Sequence, residues 1–409
     1  MRVFISTWGD PSGWSRVNYL KDNGKSVESF TSLSAYENYD RILLLVQDSI
    51  LVPQGWDKNK NTYRNADIAI CINNMQQAVL KPPSSYKDWL DSVDKYVLCA
   101  IQKANIDPAK VSIIKVPSVG QFRGTFAGNV QVTYNFGLLK IKQNQVTSLP
   151  LSYLESLLAY NIYTELKKLG NIREVILDIT HGINYFASLA LMTVMNLASL
   201  LKFKLEVINF IPTEIGKTYT YKKVFSLSDS KFDLSRIKNI KDEAKKGLIL
   251  SLKMGALLPI LYICKNANRQ TADYNNLFIE NTRIEPGNTF SVVVTKGIDE
   301  LRESDEVWSD IIFDHVCEKV KNIKDQDGYY SLEDIRNVKN GLSNLFSDTT
   351  ESIMDDQLND IESAADSLSI GEEEMLYCIY SGKRESADEM LKSIDVTKRN
   401  FIAHAGFLK

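Results

Sequence analysis

The sequence predicts an α/β domain followed by an all-α one: a doubly wound N-terminal domain over residues 1–229, carrying an inserted β-hairpin, and a helical domain over 230–409. Three observations predict it. Strand and helix signals alternate through the first half, which gives right-handed crossovers and a mostly parallel sheet. Arg41 to Val46 (RILLLV) and Glu174 to Ile179 (EVILDI) are near-continuous apolar runs, as expected of strands covered on both faces. After about Leu227 the composition changes. Ser228-Asp229-Ser230-Lys231 is polar, and from Leu234 onward the pattern reads as helix nearly throughout.

The elements follow in order. Arg2 to Thr7 is a short β-rich run that ends in Trp8-Gly9-Asp10-Pro11, and RILLLV ends at Gln47-Asp48-Ser49. Tyr86 to Lys103 sets Leu90, Val93, Val97 and Ile101 at helical spacing. Val111 to Val116 is a further strand, closed by Pro117. Over 121–143, Phe122, Phe126, Val130, Val132, Tyr134 and Phe136 alternate with polar or small residues. Gly124, Gly128-Asn129 and Gly137 punctuate them, which is the hairpin pattern. Ser152 to Leu169 reads as an amphipathic helix, Ile183 to Leu201 as an apolar one, and Lys204 to Phe210 as the next strand. The acidic stretch Asp356 to Glu374 reads as a solvated helix face.

Bulk properties narrow the function. A chain of 409 residues predicts two domains. A net charge of −3 excludes a broad basic surface for long duplex nucleic acid, while leaving room for a local basic pocket. Cys71, Cys99, Cys264, Cys317 and Cys378 are scattered, odd in number and form no C-x-x-C pair. They predict buried free thiols in a reducing compartment. Met1-Arg2-Val3-Phe4-Ile5 reads as a strand rather than the start of a signal peptide. The apolar runs Tyr185 to Leu201 and Leu248 to Cys264 are short or interrupted for a membrane span. The expected location is therefore the cytoplasm, with no membrane partner.

Asp178-Ile179-Thr180-His181-Gly182-Ile183-Asn184 lies at the end of a predicted strand and opens the next helix. In doubly wound sheets, ligands bind beyond the carboxyl ends of the strands. Thr180, His181, Gly182, Asn184 and the first helical N–H groups are candidates for an anion site. Gly182 would let a ligand approach the backbone. Thr7, Trp8, Gly9, Asp10, Gln47, Asp48 and Ser49 end two further strands on the same expected edge. Together they describe a pocket for a nucleotide and its phosphates. No G-x-G-x-x-G follows a strand, and no P-loop occurs. The plainer readings are a packing or capping role for His181 and core or interface roles for Trp8 and Trp14. His315 reads as structural.

The C-terminal Arg399-Asn400-Phe401-Ile402-Ala403-His404 holds one of only three histidines. Histidine moves protons near neutrality, and an arginine fork holds phosphoryl charge. The pair suits metal-free RNA cleavage, in which a ribose 2′-hydroxyl attacks the phosphate. On an ideal helix, residues five apart point about 140° away from each other. A bend or a second chain must bring the two side chains together.

These residues resemble the CRISPR-associated CARF–HEPN ribonucleases, ancillary nucleases of type III CRISPR systems. I-S-T-W-G-D-P near the N-terminus and D-I-T-H-G-I-N look like the two signature regions of the Rossmann-like CARF sensor domain. Arg399-Asn400 and His404 match the Arg-x-x-x-x-His motif of HEPN nucleases. The resemblance implies a homodimer or an assembly of dimers. Its CARF domains would bind a cyclic oligoadenylate, expected to be cyclic tetra-adenylate. Two HEPN domains would then pair across the two-fold axis into one metal-independent site that cleaves single-stranded RNA, with no cofactor. In that site His404 would act as general acid or base, Arg399 would stabilise phosphoryl charge and Asn400 would orient the site. Two other readings stay open. One is a ring nuclease that degrades the cyclic messenger with help from Thr180, His181 and Lys168. The other is a non-catalytic regulator.

Overall fold

The structure, a computed structural model, describes residues 1–365 apart from 22, 82, 84, 127–129, 141–145, 183, 215–216, 268–271, 287–288, 296–303 and 324–329. The chain forms two compact units. The first comprises Met1–Asp229 with Ala272–Val307, the second Ser230–Thr271 with the chain from Trp308 onward.

In chain order, the first unit opens with strands β1 (Arg2–Trp8), β2 (Val17–Leu20), β3 (Ser26–Ser29) and β4 (Arg41–Gln47). Two short strands, β5 (Trp56–Asp57) and β6 (Thr62–Tyr63), precede helices α1 (Ala69–Leu80) and α2 (Tyr86–Lys103). Then come β7 (Val111–Val116), β8 (Gly120–Phe126), β9 (Val130–Lys140), β10 (Val146–Ser148) and α3 (Leu151–Leu169). The run β11 (Glu174–Asp178), α4 (Asn184–Leu201), β12 (Lys204–Glu214) and β13 (Thr218–Leu227) follows.

The main sheet has the order β3-β2-β13-β12-β11-β1-β4-β7. Its heart is parallel: β12-β11-β1-β4-β7 all run the same way. All five residues of β11 are buried, and so are Ile42 to Gln47 of β4, which explains their unbroken apolar runs. From β1 the chain moves outward to β4 and β7, then returns to β11 and β12 on the other side. Right-handed crossovers in opposite directions put α2 on one face and α3 and α4 on the other. Helix α3 packs along α4, as that rule requires. The strand ends come out flush, with Ser6 opposite Asp178 and Trp8 opposite Val46.

Local signals set the helices. Ser85 caps α2, accepting from the Asp88 N–H at 3.1 Å while its hydroxyl donates to the Asp88 carboxylate at 2.6 Å. Trp89, Leu90, Val93, Val97 and Ile101 then form its buried stripe. Gly170 ends α3 at φ 79°, a conformation open to glycine.

The first stretch of the first unit ends at Asp229, and neither unit is continuous in sequence. Helix α7 (Tyr274–Glu280) and strands β14 (Thr282–Glu285) and β15 (Phe290–Val294) belong to the first unit. They also correct the expectation of helix nearly throughout after Leu234. Ser-Val-Val-Val is a β-branched run, and β15 pairs in parallel with β9, a strand about 150 residues upstream in sequence. The pair β8–β9 is antiparallel, and it belongs to a five-stranded second sheet with β10, β14 and β15. Tyr134 and Phe290 stack across that sheet at 5.1 Å, and Trp89 of α2 packs on Tyr134 at 5.0 Å.

In the second unit, Asp242 caps α5 (Glu243–Met254). Gly255, left-handed at φ 69°, separates it from α6 (Leu257–Asn266), so the apolar run 248–264 is two helices. The remaining described helices are α8 (Ser304–Val320), which begins in the first unit, then α9 (Leu332–Gly341) and α10 (Asp348–Ala365). Lys245 of α5 pairs with Asp310 of α8, both buried. Lys339 of α9 pairs with Asp355 of α10. His315 is buried in α8, as a structural residue would be.

The cysteines depart from expectation. Cys71–Cys99 links α1 to α2, and Cys264–Cys317 links α6 to α8. Two helices crossing at the right height bring these thiols together, which sequence spacing does not reveal. With 28 and 53 residues between partners, each bond stabilises by about 4 kcal/mol in the chain-entropy account. Cys378 lies outside the described residues. Among the described residues, no helix is long and apolar enough to cross a membrane.

Candidate functional site

The direction of winding reverses between β1 and β11, so the crevice beyond their carboxyl ends is the favoured ligand position in this fold. Two glycines meet there. A Cβ on Gly9 would lie 3.5 Å from the Gly182 Cα, and Gly182 sits at φ +134°, which side chains rarely adopt. Beneath them the Thr7 hydroxyl donates to the His181 carbonyl and closes the two loops together.

Behind the crevice lies a shell of internally satisfied polar groups. The buried Asp178 carboxylate accepts from the Ser32 hydroxyl at 2.6 Å, the Thr180 N–H at 2.9 Å and the Ser6 hydroxyl at 3.4 Å. Burial raises its pKa, against those donors. The Thr180 hydroxyl also bonds Asp178 and accepts the Phe210 N–H at 2.9 Å. His181 stacks on Trp14, with ring centroids 4.2 Å apart and planes 24° apart. Its Nε2 accepts the Ser32 N–H at 3.3 Å, with the Tyr19 hydroxyl 3.1 Å away. An Nε2 that accepts a backbone N–H carries no proton, so Tyr19 is the donor in the second bond. Burial pushes the His181 pKa down to about 3, and the ring stays neutral. In this arrangement the ring packs on Trp14 and its proton sits on Nδ1.

Two further carboxylates are engaged in similar fashion. Asp10 caps the turn at Pro11–Gly13 through the Ser12 N–H at 2.9 Å and takes the Gln54 N–H at 2.7 Å. Burial raises its pKa. Asp48 accepts from the Tyr86 hydroxyl and the Ser118 N–H, each at 2.7 Å, and burial pushes its pKa up to about 6.

In front of this shell is a cavity of about 340 Å³. Of the residues expected from sequence, Trp8, Gly9, Asp10, Gln47, Ser49 and Gly182 line it. Thr7, Asp48, Thr180 and His181 do not; they support the lining from behind. Asn184 is the first residue of α4. Arg399, Asn400 and His404 lie outside the described residues.

Among the lining residues outside the expected set, three stand out for their chemistry. Trp14 presents the ring that stacks on His181. Phe122 reaches the wall from β8, whose Thr125 N–H bonds the Pro53 carbonyl at 2.9 Å. Arg64 is exposed at the rim, and its guanidinium has no ion pair among the described residues. Phe122 belongs to the alternating hairpin pattern, but nothing in the local sequence marks it or Arg64 as a lining residue. The volume falls in the range of small-molecule sites, and a free guanidinium beside aromatic walls suits a phosphate-bearing ring system.

Two other cavities in the first unit are less suited. A larger one, about 470 Å³, involves Asn38, Tyr39, Asn105 and Lys110, which precede β4 and β7 and so sit at the amino-terminal edge. Lys168 lines a cavity of about 270 Å³ with Lys115 and Tyr160 and pairs with Glu165 at 2.5 Å. It ends α3, before the amino end of β11, and cannot join Thr180 and His181 in one reaction.

Comparison with known proteins bears on the same unit. Residues 3–223 match the family model described as the CARF domain of the CRISPR system endoribonuclease Csx1. A curated relative, the CRISPR system endoribonuclease Csx1 of Methanocaldococcus jannaschii, is 23% identical over 467 aligned positions, covering 100% of this chain and 85% of the relative. The family match spans β1, the crevice and both loops that wall it, and this chain belongs to the CARF-domain family of the CRISPR endoribonuclease Csx1.

Proposed function

We propose that the chain is an endoribonuclease of CRISPR defence, switched on when a cyclic oligoadenylate occupies the crevice between β1 and β11. The observation that carries this reading is the cavity itself. It lies at the winding reversal of a CARF-family unit, with Trp8, Trp14 and Phe122 as aromatic walls and Arg64 as a cation without an ion pair among the described residues. A cavity of this size takes about one nucleotide, so a ring of four would span two copies of the chain. Homodimerisation then serves both ends of the protein. It completes the ligand site, and it pairs two Arg399/His404 motifs into one site for single-stranded RNA.

In that site His404 moves the proton of the attacking 2′-hydroxyl or of the leaving 5′-oxygen, and Arg399 holds the charge on the phosphoryl oxygens. Asn400 orients the pair. The products carry a 2′,3′-cyclic phosphate and a 5′-hydroxyl, and no metal takes part. Thr180 and His181 are committed to internal hydrogen bonds and Lys168 is elsewhere, which argues against a ring nuclease built on those three residues.

The test is incubation with single-stranded RNA, with and without cyclic tetra-adenylate, in excess chelator. RNA cleavage only with the ring present, lost in His404→Ala, is the expected result. Cleavage without the ring, or undiminished in His404→Ala, would refute the proposal. Loss of the ring without RNA cleavage would point to the ring nuclease instead.

A further inference from the structure

A file of aromatic rings runs from the cavity wall into the second sheet. Phe122 of β8 lines the cavity and meets Phe136 of β9 edge-on, with ring centroids 5.5 Å apart. Phe136 stacks with Tyr134 at 5.6 Å, and Tyr134 stacks with Phe290 of β15 at 5.1 Å. The strand register puts all of them on one face. Tyr134 is the cross-strand partner of both Phe122 and Phe290, and Phe136 lies two residues along β9. Phe122, Tyr134 and Phe136 are buried, and the Tyr134 hydroxyl donates to the Val79 carbonyl at 2.8 Å. Trp89 of α2 closes over Tyr134 and Phe136, at 5.0 and 6.1 Å.

The far end of the file lies on a stretch of chain that visits the first unit and leaves it again. Residues 272–307 depart from the second unit, add α7, β14 and β15 to the first, and return. The return is made inside α8. Its residues Ser304–Val307 belong to the first unit and those from Trp308 onward to the second, within one unbroken helix. At the crossing between Asp229 and Ser230 the chain is a loop instead. A loop absorbs a displacement in its dihedral angles, whereas a helix keeps its shape and passes the displacement on.

We propose that Phe290 is a positioning residue for the nuclease, carrying occupancy of the cavity from the aromatic file to the segment that feeds α8. The inference rests on the ligand reading proposed above and adds the route by which the ring acts. Close-packed rings do not deform smoothly; they shift between discrete arrangements. A ligand pressed on Phe122 selects the arrangement that fits it, and Phe290 carries that choice to β15. Phe290 is only half-buried, so truncating it cuts the file at its far end and leaves the cavity wall intact.

The experiment uses the full chain and measures two quantities separately: equilibrium binding of cyclic tetra-adenylate, and the maximal rate of single-stranded RNA cleavage at saturating ring. Phe290→Ala should bind the ring within about twofold of the wild type or more tightly, because the ring no longer carries the second unit with it. Its maximal cleavage should fall by about tenfold or more. Phe290→Leu, which keeps apolar bulk without an aromatic ring, should behave in the same way, and Phe290→Tyr should cleave as the wild type does. Hydrogen exchange gives a readout that does not depend on the nuclease chemistry. Ring binding should change exchange in α8 beyond Trp308 in the wild type, and in Phe290→Ala the change should stop within the first unit. Undiminished cleavage by Phe290→Ala and Phe290→Leu, loss of ring binding in both, or a wild-type exchange response in α8 of either would overturn the inference. A wild type that binds the ring and cleaves RNA with no exchange response in α8 would also overturn it, while the ligand proposal stands. A wild type that does not bind the ring would end both.

Discussion

The front and the back of the crevice are made from the same strand ends and respond to burial in opposite ways. At the back, Asp178, Thr180 and the Nε2 of His181 find their hydrogen bonds within the protein. At the front, Trp14 and Phe122 line the cavity, and Arg64 has no counter-charge among the described residues. The back holds the loops in place, and the front is what a ligand meets. A titratable residue in a sequence motif is therefore not by itself the working group. His181, the most conspicuous residue of the motif, stacks on Trp14 and accepts the Ser32 N–H rather than lining the cavity.

Removing a member of the back should cost stability, and removing one of the front should cost affinity. The largest effect is expected for Asp178→Ala. It strands the Ser32, Ser6 and Thr180 donors in a buried site and should destabilise by about 3 kcal/mol in chemical denaturation. Gly182→Val follows. It forces a β-branched residue to φ +134° with its Cβ 3.2 Å from the Thr7 hydroxyl, at about 2 kcal/mol, and should also weaken ligand binding by closing the approach to Gly9.

His181 gives a smaller, pH-dependent effect. Its folded pKa lies below the free value, so the unfolded chain takes up the proton first. Its contribution is present above about pH 6.5 and is lost as pH falls toward about 3, by at most about 1.4 kcal/mol per pH unit. His181→Phe keeps an aromatic ring against Trp14 without the titration. The difference in stability between wild type and this variant should shrink, or turn in favour of the variant, between pH 7 and pH 5. A constant difference would show that the ring is not held neutral. The opposite titration of Asp48 is common to both proteins and cancels. Arg64→Ala should show the smallest change in stability, within about 0.5 kcal/mol, while weakening cyclic tetra-adenylate binding about tenfold.

Much of this was legible in the sequence where burial leaves a local trace. The runs RILLLV and EVILDI announced covered parallel strands, and the turns after them, with the end of β1, supplied six lining residues. What was not legible depends on long-range pairing. Strands β14 and β15 are short and sit among helical signals; they become strands by pairing with each other and, through β15, with β9. Arg64 and Phe122 carry no local mark as lining residues, because they reach the cavity only through the tertiary placement of their segments. The role of His181 turned on Tyr19 and Ser32, contacts far away in sequence. The four paired cysteines meet only because their helices cross.

The central claim is that the crevice between β1 and β11 controls RNA cleavage. It is tested most directly by measuring cleavage of single-stranded RNA against cyclic tetra-adenylate concentration, for the wild type and for Arg64→Ala. The account predicts two curves with the same maximum, the variant displaced about tenfold toward higher ring concentration. Superimposed curves, or cleavage that ignores the ring in both proteins, would contradict it.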